Sequence, residues 1–322
     1  MRTLLHILII LASLTACASN RKTTNTDTVI LYGEEARAYK AQHDMGAQAG
    51  KTISHQYDVS PFTALSNEIS VDVYYQQGSA HSVKATGRAD LIAQLDVSVE
   101  EGVLRLRNKK RIGSWRGKIR VDITAPRIDR WSNSGSFALH IDDISAEEFR
   151  LSNSGVFSLM SGTVSTTQTS ISNSGLLLIQ ARLTSRQDFT LRNSGQMNCK
   201  GNMQGEGAYS LSNSGSMQME GKMEGRTAEI KNSGVLHVQH TIRAHDFSMS
   251  NSGSAIGSIL FKGGAATFRN SGQGNLNVDC DCTDLNATTS GSFTMTIKGT
   301  ADNTSIKSSG VSHIDAKGLN NF

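Results

Sequence analysis

The sequence predicts an all-β chain folded as a parallel β-solenoid of about ten rungs, and three observations carry that prediction. A glycine recurs at Gly135, Gly155, Gly175, Gly195, Gly215, Gly234, Gly253, Gly272, Gly291 and Gly310, in four steps of 20 residues and then five of 19. Apolar residues alternate on both sides of each glycine, as in Phe149 and Leu151 before Gly155 and Phe157 and Leu159 after it, which is the period of a strand. A further apolar position follows eight or nine residues past the glycine, at Ile144, Val164, Leu183, Met203, Met223, Ile242 and Phe261. Each repeat therefore reads as a rung of about three sides. Units this short cannot enclose a core of their own and must bury their apolar side chains against the next unit. Helical repeats need a 3.6 period, leucine-rich repeats a Leu-x-x-Leu-x-Leu frame, and propeller blades about 40 residues, and none of these fits. Ten rungs stacked at about 4.8 Å make a rod on the order of 50 Å long.

The chain opens with a basic Met1-Arg2-Thr3, an apolar run from Leu4 to Leu14, and Leu14-Thr15-Ala16-Cys17. Residues 1–16 read as a secretory signal, too short to span a bilayer, and the ending resembles a bacterial lipobox with Cys17 as the lipidated first residue of the mature chain. Residues 17–50 are polar and read as a tether, with a short helix expected around Glu34 to Gln42. The stretch after Cys17, Ala18-Ser19-Asn20-Arg21-Lys22, is basic rather than acidic, which favours the periplasmic face of the outer membrane over the cell surface.

Residues 51–131 differ in texture. Strands are expected at Glu68 to Tyr74, Leu95 to Val99, Gly102 to Arg107 and Lys118 to Ile123, with Glu100-Glu101-Gly102 as a hairpin turn. Both prolines, Pro61 and Pro126, fall here, outside the repeats whose ladders they would break. This segment is expected to cap the rod, because an open solenoid end leaves strand edges unpaired.

Residues 132–322 hold the regular rungs. The glycines from Gly135 to Gly272 follow Asn-Ser, and the last two stand in Thr289-Ser290-Gly291 and Ser308-Ser309-Gly310. Glycine suits a corner that demands positive φ, and an Asn side chain can donate to the Asn of one neighbouring rung while accepting from the other. Asn133, Asn153, Asn173, Asn193, Asn213, Asn232, Asn251 and Asn270 are thus expected to form one hydrogen-bonded column. The corners carry no carboxylates, so a calcium site is not expected. Cys199, Cys280 and Cys282 fall where other rungs carry inward fillers; Asp279-Cys280-Asp281-Cys282 lacks a second ligand pair at metal spacing, and a strained Cys280–Cys282 bridge stays open as an alternative to free thiols. No metal or cofactor is expected.

The order Val59-Ser60-Pro61-Phe62, Ile69-Ser70-Val71-Asp72-Val73, Val103-Leu104-Arg105-Leu106 and Ile119-Arg120-Val121-Asp122-Ile123-Thr124-Ala125-Pro126-Arg127-Ile128, followed by Ser-Gly corners at steps of about 20 residues, resembles the putative auto-transporter adhesin, head GIN domain family. The resemblance covers roughly residues 53 to 320. It departs from the family pattern in its Asn-Ser-Gly corners, where Gly-Ser-Gly or Ser-Gly-Ser is usual. It implies a right-handed β-helical rod in lipoproteins and secreted proteins, and it transfers no catalytic residue. The chain ends at Phe322 directly after the last rung, with no amphipathic strands for a membrane barrel, so self-transport is not expected.

Three surface features bear on function. Enzymes built on β-helices gather charged groups from outward positions of adjacent rungs; here those positions offer Lys200 beside Glu220, with His237 and His313 on separate rungs, and no carboxylate pair. Val156, Leu176 and Leu178 make an outward apolar strip, read as a contact surface for a partner or for the polypeptide leading in from residue 50. Ten Lys or Arg lie between Arg105 and Arg130 against Asp122 and Asp129, and Lys109, Lys110, Arg111, Trp115 and Arg116 form a basic loop around an exposed Trp. Such a loop suits anionic headgroups or acidic polysaccharide, or else only keeps a strand edge soluble. The resulting expectation is a lipid-anchored envelope rod, non-catalytic, serving as a structural, binding or adhesive module. Its partners are the membrane through its lipid and an envelope polysaccharide or protein, not nucleic acid. The alternative is a carbohydrate-active β-helix of the lyase or hydrolase type.

Overall fold

The computed structural model describes residues 51–109 and 117–320. It is a β-solenoid of about ten turns, 74% strand and 2% helix. Each turn has a side before the Asn corner, a side after it and a third side, and each side stacks in parallel on its counterpart in the next turn. Before the corner, Arg150–Asn153 aligns with Arg130–Asn133 below and Ser170–Asn173 above. After it, Val156–Leu159 lies between Ser136–Leu139 and Leu176–Ile179. On the third side Ile144, Val164, Leu183, Met203, Met223, Ile242, Phe261 and Cys280 stand in unbroken register. Every residue of this column is at most 5% exposed. The change from 20 to 19 residues falls after Gly215, and the register passes it without a shift.

The alternating pattern sends one residue in two into the bore. Large rings meet there from rung to rung, with Phe137 tilted against Phe157 at 4.9 Å and Phe189 stacked on Tyr209 at 5.2 Å between centroids. Fully burying each such side chain contributes roughly 1.5–3 kcal/mol, and neighbouring rungs supply most of the cover. A rung is therefore stable only as a member of the stack.

The N-terminal end is not a simple continuation of the stack. The rung built from Ala64–Asn67 and Ser70–Gln77 sits between the rung of Val103–Asn108 and Ile119–Ala125 on one side and that of Arg130–Asn133 and Ser136–Ile141 on the other. Spatial order thus departs from chain order. Outside this interleaved pair, Ser82–Arg88 runs antiparallel to Ile119–Ala125, Thr52–Tyr57 runs antiparallel to Ser82–Arg88, and Leu95–Glu100 runs antiparallel to Val103–Asn108. A short helix, Ala89–Gln94, turns Leu91 and Ile92 into the core.

Cys199, Cys280 and Cys282 are buried free thiols, so the Cys280–Cys282 bridge left open by the sequence does not form. Both lie in the strand Gln273–Thr289, two residues apart. Their α-carbons are therefore about 6.8 Å apart, at the far edge of what a disulfide spans.

One buried position carries an imidazole. His240 is 3% exposed, and neither ring nitrogen has a hydrogen-bond partner among the described residues. Burial lowers its pKa from 6.5 to about 4. The unfolded chain therefore takes up this proton at a higher pH than the folded one, and stability is lost as pH falls from about 6.5 towards 4, by up to about 3 kcal/mol. Its register neighbour on the next rung is Ile259. Replacing the ring by His240→Leu is expected to flatten this part of the stability profile, measured as urea midpoints at pH 7 and pH 4.5.

Candidate functional site

The most repetitive surface of the molecule is built on the Asn corners. Nδ2 of Asn133 donates to Oδ1 of Asn153 at 2.8 Å, and the same bond recurs from Asn153 to Asn173, Asn173 to Asn193, Asn193 to Asn213, Asn213 to Asn232, Asn232 to Asn251 and Asn251 to Asn270. From Asn133 to Asn232 each amide nitrogen also reaches two carbonyls, as Asn153 does to Gly155 at 3.0 Å and Leu176 at 2.8 Å. Asn67 adds a ninth member, donating to Asn133 at 2.9 Å. It was invisible in the sequence because its corner reads Asn67-Glu68-Ile69. All nine side chains are at most 5% exposed, so the ladder is internal and leaves nothing for a ligand.

The corner glycines are required for a different reason from the one the sequence suggested. Gly310 has φ of 73°, but Gly135, Gly155, Gly175, Gly195, Gly215, Gly234, Gly253, Gly272 and Gly291 do not lie in the left-handed region. What excludes a side chain is proximity. A β-carbon on Gly155 would overlap the carbonyl oxygen of Gly135, and the same collision repeats from Gly175 to Gly291. The bond from Val156 N–H to the Gly135 carbonyl, at 2.9 Å, pulls successive corners into this contact.

Outside the ladder the corner is polar. The serine after each Asn from Asn133 to Asn270 is exposed, and from Ser134 to Ser233 its hydroxyl lies near the carbonyl of the Asn one rung below, as in Ser154 to Asn133 at 3.3 Å. From Asn153 to Asn270 the residue before each Asn is Ser152, Ser172, Arg192, Ser212, Lys231, Ser250 and Arg269 in turn, and Thr288 holds the same place before Thr289. These two columns flank a groove of about 890 Å³ that runs from Ser152 to Ser290 along the rod. Among the described residues its lining holds three cations, Arg192, Lys231 and Arg269, and no carboxylate. Lys231 pairs with Glu229 beside it at 2.8 Å. The column before Asn had not been singled out in the sequence, although its alternation of hydroxyl and cation is legible once the corners are aligned.

Other singled-out residues fall elsewhere. The apolar strip is not an exposed surface: Val156, Leu176 and Leu178 are 6%, 4% and 3% exposed, and both faces of strands Val156–Leu159 and Leu176–Ile179 are buried. Lys200 and Glu220 make an ion pair of 3.7 Å across adjacent rungs. His237 and His313 share one column four rungs apart, about 19 Å at 4.8 Å per rung. Much of the basic run between Arg105 and Arg130 is neutralised by carboxylates the fold brings from outside it. Arg105 meets Glu100, Arg107 meets Asp96 and Glu100, and Lys118 meets Asp72, at 2.7–3.1 Å. Lys109 donates through Nζ to the Ala93 carbonyl at 3.1 Å. Lys110, Arg111, Trp115, Arg116 and Cys17 with the tether lie outside the described residues. Among the described residues no group of His, Cys, Asp and Glu is placed to hold a metal, and no helix is long and apolar enough to cross a membrane.

The family model described as putative auto-transporter adhesin, head GIN domain, matches residues 61–239 and 207–321. The chain belongs to this family. Among solved structures it is similar to a putative adhesin from Bacteroides fragilis NCTC 9343, at 16% identity over 83% of this chain and 97% of that one, with a TM-score of 0.38. A putative adhesin from Parabacteroides merdae ATCC 43184 matches at 16% over 83% and 96%, with a TM-score of 0.46. A putative lipid binding protein from Parabacteroides distasonis ATCC 8503 matches at 16% over 83% and 96%, with a TM-score of 0.40. Comparison with curated proteins gave no match.

Two variant pairs check the corner. Gly195→Ala is expected to cost about 2–3 kcal/mol, because its β-carbon meets backbone that cannot move alone. Gly102→Ala, at φ 73° with open space around it, is expected to cost about 1 kcal/mol of backbone strain. In the ladder, Asn193→Ala orphans groups on both neighbours and is expected to cost about 2–4 kcal/mol, against about 1–2 kcal/mol for Asn67→Ala at the end. Urea denaturation of the four variants gives the comparison.

Proposed function

We propose that the protein is a lipid-anchored, non-catalytic binding rod of the bacterial envelope, held by Cys17 in the outer membrane and facing the periplasm. The observation that carries this reading is the groove beside the Asn ladder. It is continuous over the rungs from Asn153 to Asn270, open along its length, and lined by hydroxyls and cations at a constant spacing. A surface that repeats every 19 or 20 residues suits an extended ligand or a repetitive neighbour, whereas catalysis needs one asymmetric cluster. The family's adhesin description agrees in kind with such a module. The lipobox-like Leu14-Thr15-Ala16-Cys17 supplies the anchor, and a rigid rod on a polar tether presents its groove at a fixed distance from the bilayer.

Fractionation and protease shaving test the placement. Wild-type protein is expected in the membrane fraction and Cys17→Ser in the soluble fraction. Fragments from residues 130 to 320 are expected to survive protease on intact cells and to be cut after outer-membrane permeabilisation. Cutting on intact cells would move the rod to the cell surface, and an unchanged distribution of Cys17→Ser would remove the lipid anchor from the proposal.

A further inference from the structure

We infer that the groove binds a linear acidic polysaccharide carrying one anionic group per disaccharide, with Arg192, Lys231 and Arg269 as the anion-pairing residues. The inference rests on the binding-rod reading and names the ligand class of that surface.

The argument begins with register. Arg192 stacks on Ser212, Ser212 on Lys231, Lys231 on Ser250, Ser250 on Arg269, Arg269 on Thr288 and Thr288 on Lys307. A cation therefore returns every second rung along one straight column. At 4.8 Å per rung the repeat is about 10 Å. That distance is comparable to the advance of a disaccharide in an extended polysaccharide, so a chain with an acid on every second sugar meets each cation in phase. A polymer charged on every sugar would place every other anion beside a hydroxyl rung.

The rest of the lining fits sugar. Rungs between the cations present Ser212, Ser250 and Thr288, and the exposed serines after each Asn form a second file of hydroxyls. Hydroxyls in file can exchange hydrogen bonds with successive sugar hydroxyls, while guanidinium and ammonium groups pair with carboxylate or sulfate. Among the described residues no carboxylate lines the groove; Glu229 stands beside it and pairs with Lys231 at 2.8 Å, so an acid on the polysaccharide shares that cation with Glu229. No aromatic side chain is among the described residues that line it, whereas grooves for single-stranded nucleic acid hold bases by stacking. The internal ladder keeps the cation column straight, because from Asn153 to Asn270 each corner is locked to the next by a side-chain amide hydrogen bond of 2.5–2.8 Å.

The test uses the full mature chain and calorimetric titration with hyaluronan decasaccharide, whose carboxylates fall on alternate sugars. Laminarin serves as a neutral glycan and (dT)20 as a nucleic-acid polyanion. Hyaluronan is expected to bind at least tenfold more tightly than either, with affinity falling as salt rises. The triple variant Arg192→Gln, Lys231→Gln, Arg269→Gln is expected to lose at least tenfold in affinity and most of the salt dependence. The pair Ser212→Lys with Lys231→Ser keeps the net charge and breaks the two-rung period, and it is expected to lose at least threefold; melting curves confirm that each variant folds. Equal affinity for (dT)20, or an unchanged affinity in either variant, would overturn the inference. Binding of laminarin in preference to hyaluronan would overturn the acidic ligand while leaving the binding rod in place.

Discussion

The structure depends on how closely one corner can approach the next. Successive corners are held by a main-chain bond of 2.9 Å from Val156 to Gly135 and its equivalents, and by the side-chain amides of the Asn column. At that separation no β-carbon can stand at the glycine, and any amide left without its partner would be a buried, unsatisfied group. Those two requirements fix the rung repeat. The ring stacks in the bore, the third-side column and the outer files of hydroxyls and cations all inherit their alignment from it. The insertion of one residue per rung before Gly215 is absorbed away from the corner, which is the one place that cannot accommodate it.

The surface follows from the same alignment. Because every outward position is copied once per rung, a substitution in the sequence becomes a mark at a known height along the rod. Charges that would collide on adjacent rungs are kept apart in the column before Asn, where hydroxyls alternate with cations from Arg192 onward. At the N-terminal end the opposite solution is used, and basic residues such as Arg107 and Lys118 stand beside carboxylates from other strands.

Much of this was legible in the chain. The glycine period, the apolar alternation and the third-side residues from Ile144 to Phe261 follow from steric and hydrophobic rules that act over a few residues, and the observed register matches them. What could not be read depended on contacts between distant segments. Asn67 lacks the Ser-Gly that marks its fellows, and only the insertion of its rung beneath that of Asn133 brings it into the ladder. The glycine requirement came out as close approach rather than positive φ, because the sequence shows that a side chain is forbidden without showing what forbids it. Val156, Leu176 and Leu178 are correctly placed on the outward side by alternation, yet they are buried, since alternation says which way a side chain points and not what lies over it. The basic run looked uncompensated because Asp72, Asp96 and Glu100 stand outside the window in which the charges were counted.

The interleaved rung at the N-terminal end has a mechanical meaning. Tension drawn through Lys51 reaches the strand Thr52–Tyr57, passes sideways to Ser82–Arg88 and then to Ile119–Ala125, all through antiparallel pairs. The rung of residues 64–77 is clasped between two rungs that come later in the chain, so it cannot peel away in sequence as the end of a plain coil would. A pull from this end is shared across a clasp of three stacked turns before it reaches the regular stack. A pull entering from this side would meet the one end where winding order and chain order part company.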